Sequence, residues 1–304
     1  MTTSGIDKIC IILGHQDESR LKELNGFLGR VFPYLNITCN IYIVATSLSE
    51  GMPKVERIQE GMKAYLRENL FVRYYLHFLH PIPPGGTGDI GYYEQYYYHP
   101  WRRGSFEFDR EGYMHEEVAR LVLIPVLIPG AEDDELFITG LLKGLKQRFP
   151  LVSLCLREGT FSLAQNADLI DEADKVYYGP NPSNTPAAIA CNLFAQDLLE
   201  SSCVALRSGA LSMTSSCGSS LFITADDGLV FPCMEAFKKG EALTGAYEEH
   251  DLETIVKQCE GVREKELDCR ACREGVIGQF SKLPLPRSFQ DEVDTLLERL
   301  QVEK

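Results

Sequence analysis

An α/β fold built on a parallel sheet is the class this sequence predicts, and two observations predict it. Strand-like and helix-like stretches alternate through the first two-thirds of the chain, the rhythm of successive βα units. At least one strand-like stretch, Leu121 to Ile128 (LVLIPVLI), is a near-continuous apolar run, as strands buried on both faces are. An open sheet and a partial barrel both satisfy this pattern.

The elements follow in order. Lys8 to Leu13 (KICIIL) is strand-like, and Glu18 to Val31 has the periodicity of an amphipathic helix. Ile37 to Ala45 (ITCNIYIVA) is rich in β-branched residues and is expected to be a strand. Val55 to Asn69 is expected to be helical, and Phe71 to Leu79 (FVRYYLHFL) a strand. Pro125 within Leu121 to Ile128 lacks an N–H, which predicts an edge or bulged strand. A helix from Asp133 to Phe149 is stopped by Pro150. Strands at Leu151 to Leu156 and Lys175 to Tyr178 follow. Asn184-Thr185-Pro186 supplies a cap and an N1 proline for a helix running to about Glu200. Between the last two strands, ADLIDEADK (Ala167 to Lys175) reads as a solvated acidic turn.

Residues 81–112 interrupt the rhythm with PIPPGGTGDIGYYEQYYYHPWRRGSFEFDREG. A loop this long in a compact domain is functional or mobile. It carries the single tryptophan, and Tyr96, Tyr97, Trp101 and Arg102 are candidate substrate-binding or peptide-binding residues, since aromatic and Arg side chains anchor interfaces. The bland alternative is an excursion that covers the sheet edge. The PPGGTGD piece is not a phosphate loop, because it lacks the required spacing and the following Lys.

The formal net charge is -14. Such an acidic surface disfavours nucleic acid and anionic membranes as partners. No basic leader with an apolar run precedes the first strand, and no run reaches the length of a spanning helix, so a cytoplasmic protein is expected. A reducing compartment then demands a reading of the 10 cysteines other than disulfides. Cys10, Cys39, Cys155 and Cys191 sit among apolar neighbours and read as small buried hydrophobes.

From about Ala205 the α/β rhythm stops, which divides the chain into an α/β domain (1–205) and a cysteine-rich segment (206–304). The stretch CGSSLFITADDGLVFPC places Cys217 and Cys233 at the open end of a hairpin about Asp227-Gly228. A two-residue turn there would set Cys233 opposite Phe222. Cys269-Arg-Ala-Cys272 adds a CxxC, whose two thiolates can bind one metal centre from a single turn. Phe289, Val293, Leu296, Leu297 and Leu300 mark a final amphipathic helix, expected to pack within the cysteine-rich segment.

Cys217, ten residues, Gly228, four residues and Cys233, followed by the CxxC, resemble the SPASM and twitch domains that carry auxiliary clusters in radical SAM enzymes. The resemblance covers residues 210–275. It implies one [4Fe–4S] cluster of the shorter twitch type, because no cysteine follows Cys272. The ligands it implies are Cys217, Cys233, Cys269 and Cys272, with Cys259 either a substitute for Cys217 or structural. A four-thiolate zinc site is the competing reading of the same residues.

The CxxxCxxC loop of radical SAM enzymes is missing: GHQDESR follows the first strand. The resemblance therefore implies a chain that does not cleave SAM, with the α/β region either a degenerate radical SAM barrel or unrelated. It further implies an accessory role beside a radical SAM enzyme, in electron transfer or peptide positioning. Two rivals stand beside it. One is an enzyme with its active site near His15, at the end of the first strand, where a His can ligate a metal or act as a base. The other is a zinc-stabilised interaction protein.

Overall fold

The computed structural model describes residues 6–14, 18–63, 71–80, 119–130, 133–149, 151–157, 159–179, 183, 185–207, 220–242, 275–283 and 287–302. In chain order the strands are β1 (Ile6–Ile12), β2 (Leu35–Ala45), β3 (Phe71–His80), β4 (Ala119–Leu127), β5 (Ser153–Arg157), β6 (Lys175–Gly179), β7 (Ser220–Thr224) and β8 (Leu229–Phe231). The helices are α1 (Glu18–Val31), α2 (Leu48–Lys63), α3 (Glu135–Lys146), α4 (Ala167–Glu172), α5 (Pro186–Arg207), α6 (Met234–Lys239) and α7 (Arg287–Val302).

The strands form one sheet in the order β6-β5-β4-β3-β2-β1-β7-β8. Every pairing is parallel except the last, β7 with β8. The expected α/β class with a parallel sheet is what the chain adopts. Six strands follow one another outward from β1. Right-handed crossovers that always step the same way lay their helices on one face. The chain then returns through α5 to place β7 on the far side of β1, and a right-handed return puts α5 on the opposite face.

The contacts agree with that arrangement. Gly51 of α2 lies against Ala45 and Leu76, and Phe149, just after α3, packs on Phe78 at 5.7 Å. On this first face Ile9, Ile11, Ile41, Ile43 and Leu76 are fully buried. Each such side chain contributes roughly 1.5–3 kcal/mol. The second face presents Cys10, Tyr42 and Phe222 in adjacent register. There α5 packs on β1, β2 and β6. Residues 188–196 of α5 are all buried, so this helix is enclosed on every side.

The helix boundaries have local causes. Ser47 accepts a hydrogen bond from the Glu50 N–H at 3.3 Å and starts α2 seven residues before the expected Val55. The acidic side chain of Asp134 caps α3, and Thr185 caps α5 by accepting from Ala188 N–H at 3.2 Å, with Pro186 at the first helical position. The expected acidic turn at Ala167 is instead the short helix α4, capped by Asn166. Its trailing Asp174 accepts from the Val152 N–H at 2.7 Å and faces Lys146 at 3.6 Å.

Pro125 does not mark an edge strand. β4 is an inner strand, paired with β3 along its length. Its ladder to β5 begins only at Val126, so Pro125 stands where that neighbour has not yet started. The residues on either side of position 205 share the sheet, because β7 pairs with β1 from Lys8 to Ile12. The last helix, α7, packs against α5 with Val293 and Leu296 fully buried, and Gln290 reaches the Ser281 carbonyl at 3.5 Å. It therefore joins the α/β body, and not only the cysteine-rich segment as expected. No helix among the described residues is long and apolar enough to cross a membrane.

Candidate functional site

The hairpin turn is longer than the expected two-residue turn. Phe222 pairs with Phe231, Ile223 with Val230 and Thr224 with Leu229, which leaves Ala225 to Gly228 as a four-residue turn. The Gly228 N–H donates to the Thr224 carbonyl at 2.9 Å, and Gly228 takes a φ of 72°, which favours glycine. The Asp227 carboxylate accepts from the Leu229 N–H at 3.2 Å and from the Thr224 hydroxyl. The side-chain bonds of Asp227 select the longer loop over the Asp-Gly two-residue turn. By this register Cys233 stands level with Ser220, not Phe222. Cys217 then precedes that level by three residues in sequence instead of five.

Cys10, Cys39, Cys155 and Cys191 are buried, whereas Cys233 is only partly buried, against the edge of the core. Its backbone is extended, at φ −165° and ψ 172°, and it caps the start of α6. Its Sγ accepts the Ala236 N–H at 3.4 Å. A cysteine sulfur that receives a backbone hydrogen bond is suited to bind a metal, since such bonds tune sulfur ligands. Cys217, Cys269 and Cys272, with Cys259, lie outside the described residues. Among the described residues no three His, Cys, Asp or Glu side chains gather around a common point.

His15, Tyr96, Tyr97, Trp101 and Arg102 also lie outside the described residues, as does the whole of 81–112. The strand end before His15 is described. The chain leaves β1 towards one side of the sheet and returns to β7 on the other, so the topological switch point falls between their carboxyl ends. There Gly14 abuts the Asp226 carboxylate so closely that a Cβ at position 14 would overlap it. Lys54 of α2 donates to the Gly14 carbonyl. The Ala225 N–H donates to the Ile12 carbonyl at 3.0 Å and ties the turn to β1. Cys233 lies at the other end of β7, five residues and roughly 16 Å of strand away. The candidate metal end and the candidate active-site end are thus opposite ends of one strand pair.

The remaining titratable groups belong to the interior. Cys10, Cys39, Cys155 and Cys191 are buried. Burial pushes the Cys10 thiol well up, with a further upward push from Cys191. Burial raises Cys191 to about 11; the Lys238 charge opposes the rise and the Glu235 charge adds to it. His77 and His80 are both buried. His77 faces Tyr42 on the α5 side, with ring centroids 6.0 Å apart. His80 falls on the other side of β3, and burial holds it neutral, with its pKa lowered to about 4. Their spacing predicts these opposite sides.

Two features escaped the sequence reading. One is α6, although Glu235 in its first turn, Lys238 and Lys239 in its last and Gly240 just beyond are a complete set of helix-end signals. The other is the approach of Cys191 to Cys10, which no local pattern encodes. The chain matches no protein-family model, no curated protein and no solved structure.

Proposed function

We propose that this chain is an iron–sulfur accessory protein, with one [4Fe–4S] cluster held by Cys217, Cys233, Cys269 and Cys272. The observation that carries this reading is the setting of Cys233. It is partly buried, where Cys10, Cys39, Cys155 and Cys191 are buried, and it stands at the base of a hairpin with a backbone N–H aimed at its sulfur. The CxxC and the hairpin spacing support the rest of the ligand set. A cluster there supplies one-electron chemistry or a fixed anchor for substrate. Cys217, Cys233, Cys269 and Cys272 would hold it, and the Ala236 N–H would donate to the Cys233 sulfur. The lack of CxxxCxxC supports a role beside a radical SAM enzyme, without SAM cleavage in this chain. Tyr96, Tyr97, Trp101 and Arg102 are the residues proposed to contact the peptide or partner.

Anaerobic purification tests this. The protein is expected to be brown and to carry about four irons and four sulfides. Replacing Cys269 and Cys272 by Ala removes the metal, whereas Cys155→Ala, deep in β5, leaves it. Colourless protein with one tightly held zinc overturns the cluster in favour of a structural zinc site on the same thiolates. Metal that survives loss of the CxxC overturns the ligand assignment.

A further inference from the structure

Open α/β sheets bind small ligands in the crevice outside the carboxyl ends of the strands at the topological switch point. In this sheet that crevice lies between β1 and β7. Its floor is fixed by the backbone: the Leu13 N–H donates to the Val44 carbonyl at 2.9 Å, and the Ala225 N–H to the Ile12 carbonyl at 3.0 Å. Two charged side chains converge on the residue between them, Gly14. Lys54, half-buried in the second turn of α2, crosses to the end of β1 and donates from Nζ to the Gly14 carbonyl. That bond takes one of the three donors of an ammonium. Asp226 reaches the same residue from the turn after β7.

The two neighbouring aspartates differ in what they do. Asp227 shapes the turn, accepting from the Thr224 hydroxyl and the Leu229 N–H. Asp226 is exposed, and among the described residues no hydrogen bond or ion pair holds its carboxylate. The turn does not need that carboxylate. Yet it rests so close to Gly14 that any side chain at position 14 would overlap it. Glycine is the residue that admits a carboxylate to the floor of the crevice.

A cation and an anion thus stand against one glycine. A simple anion in this crevice meets Asp226, and a simple cation meets Lys54. A molecule whose own opposite charges are a few bonds apart complements both. We propose that the crevice is a binding site for a small zwitterion of the α-amino-acid type, its ammonium on the Asp226 carboxylate and its carboxylate on the Lys54 ammonium. The site lies at the opposite end of β7 from Cys233 and is independent of the cluster.

Titration of the isotope-labelled full chain with L-alanine, followed at the Gly14 and Ala225 amide resonances, tests this. L-Alanine should shift both resonances saturably. Acetate and ethylammonium each carry one of its charges, and each should bind about fivefold more weakly, the worth of one exposed ion pair. Asp226→Asn preserves shape at an exposed position, so it should weaken L-alanine by about the same factor and spare acetate. Lys54→Met should weaken L-alanine and spare ethylammonium. Gly14→Ala, which displaces the Asp226 carboxylate, should behave as Asp226→Asn does. No saturable shift with L-alanine overturns the proposal. Equal affinity for L-alanine and acetate also overturns it, in favour of a plain anion site on Lys54. Unchanged L-alanine affinity in Asp226→Asn removes the carboxylate from the site and overturns the pairing. If Lys54→Met or Gly14→Ala shifts resonances throughout the chain, the fold itself has changed, and the wild-type probe series with Asp226→Asn decides the matter.

Discussion

The two faces of the sheet are built on different principles. On the first, Ile9, Ile11, Ile41, Ile43 and Leu76 meet helices that follow directly in sequence, so each βα unit buries its own strand. On the second, Cys10, Tyr42 and Phe222 are covered by α5 and α6, which reach them from distant parts of the chain. The first face is mainly aliphatic, with Tyr74 and Phe78 set among the branched side chains. The second is a run of rings, Phe231, Phe237, Phe222, Phe194, Tyr42 and Tyr75, in contact at 4.5–5.7 Å. One end of that run is two residues from Cys233. The lesson is that the first face carries stability, whereas the second joins stability to the candidate metal site.

The sharpest way to break this comparison is to weaken each face equally. Phe222→Ala should destabilise the fold by about 3–5 kcal/mol and Ile43→Ala by about 2–5 kcal/mol, both measured by denaturant unfolding. Stability alone will not separate them, but metal retention will. Phe222→Ala loosens the seat of Phe237 and should increase the rate of metal loss to a chelator, while Ile43→Ala should leave that rate near wild type. Equal losses from both variants would show that the faces are not functionally distinct.

The same division explains what could be read from the sequence. β1, α1, β3, α3 and the start of α5 were readable, because periodicity, caps and a proline at the first helical position are local signals. Pro125 misled because an inner strand can hold a proline where its neighbour has not begun, and strand offset is a tertiary fact. The hairpin register slipped by two because Asp227 uses its side chain to stabilise a longer turn. Of the site, the cysteine spacing was visible, and so was the hairpin. The insertion of β7 beside β1, which sets Cys233 and Gly14 at opposite ends of a strand pair, was not. It depends on a crossover that no short window contains.

His80 gives the next test, and it concerns the first face only. It ends β3 on the side of Leu76 and Phe78, buried and neutral, with its pKa lowered to about 4 from 6.5. The unfolded chain takes up a proton as pH falls through 6.5, and the folded chain resists until about 4. Its contribution is therefore complete above pH 6.5 and is lost as pH falls through that window, to a total of about 3 kcal/mol. His80→Gln should flatten the stability profile between these values relative to wild type. Unchanged curvature would mean that His80 charges freely in the fold. Because His80 lies on the first face, the metal content of the variant should follow that of wild type across the window.

The smallest expected effect compares the two caps that start α3 and α5. Asp134 and Thr185 each accept one orphan N–H at a helix start, and each replacement by Ala should destabilise by about 1 kcal/mol. Yet α3 covers the first face and α5 the second. Thr185→Ala frees the first turn of the helix that carries Cys191, so thiol labelling there should rise by a few-fold beyond any global change. Asp134→Ala should change global stability by a similar amount and leave Cys191 labelling proportional to it. A common dependence of labelling on stability for both variants would mean that α5 opens only with the whole sheet.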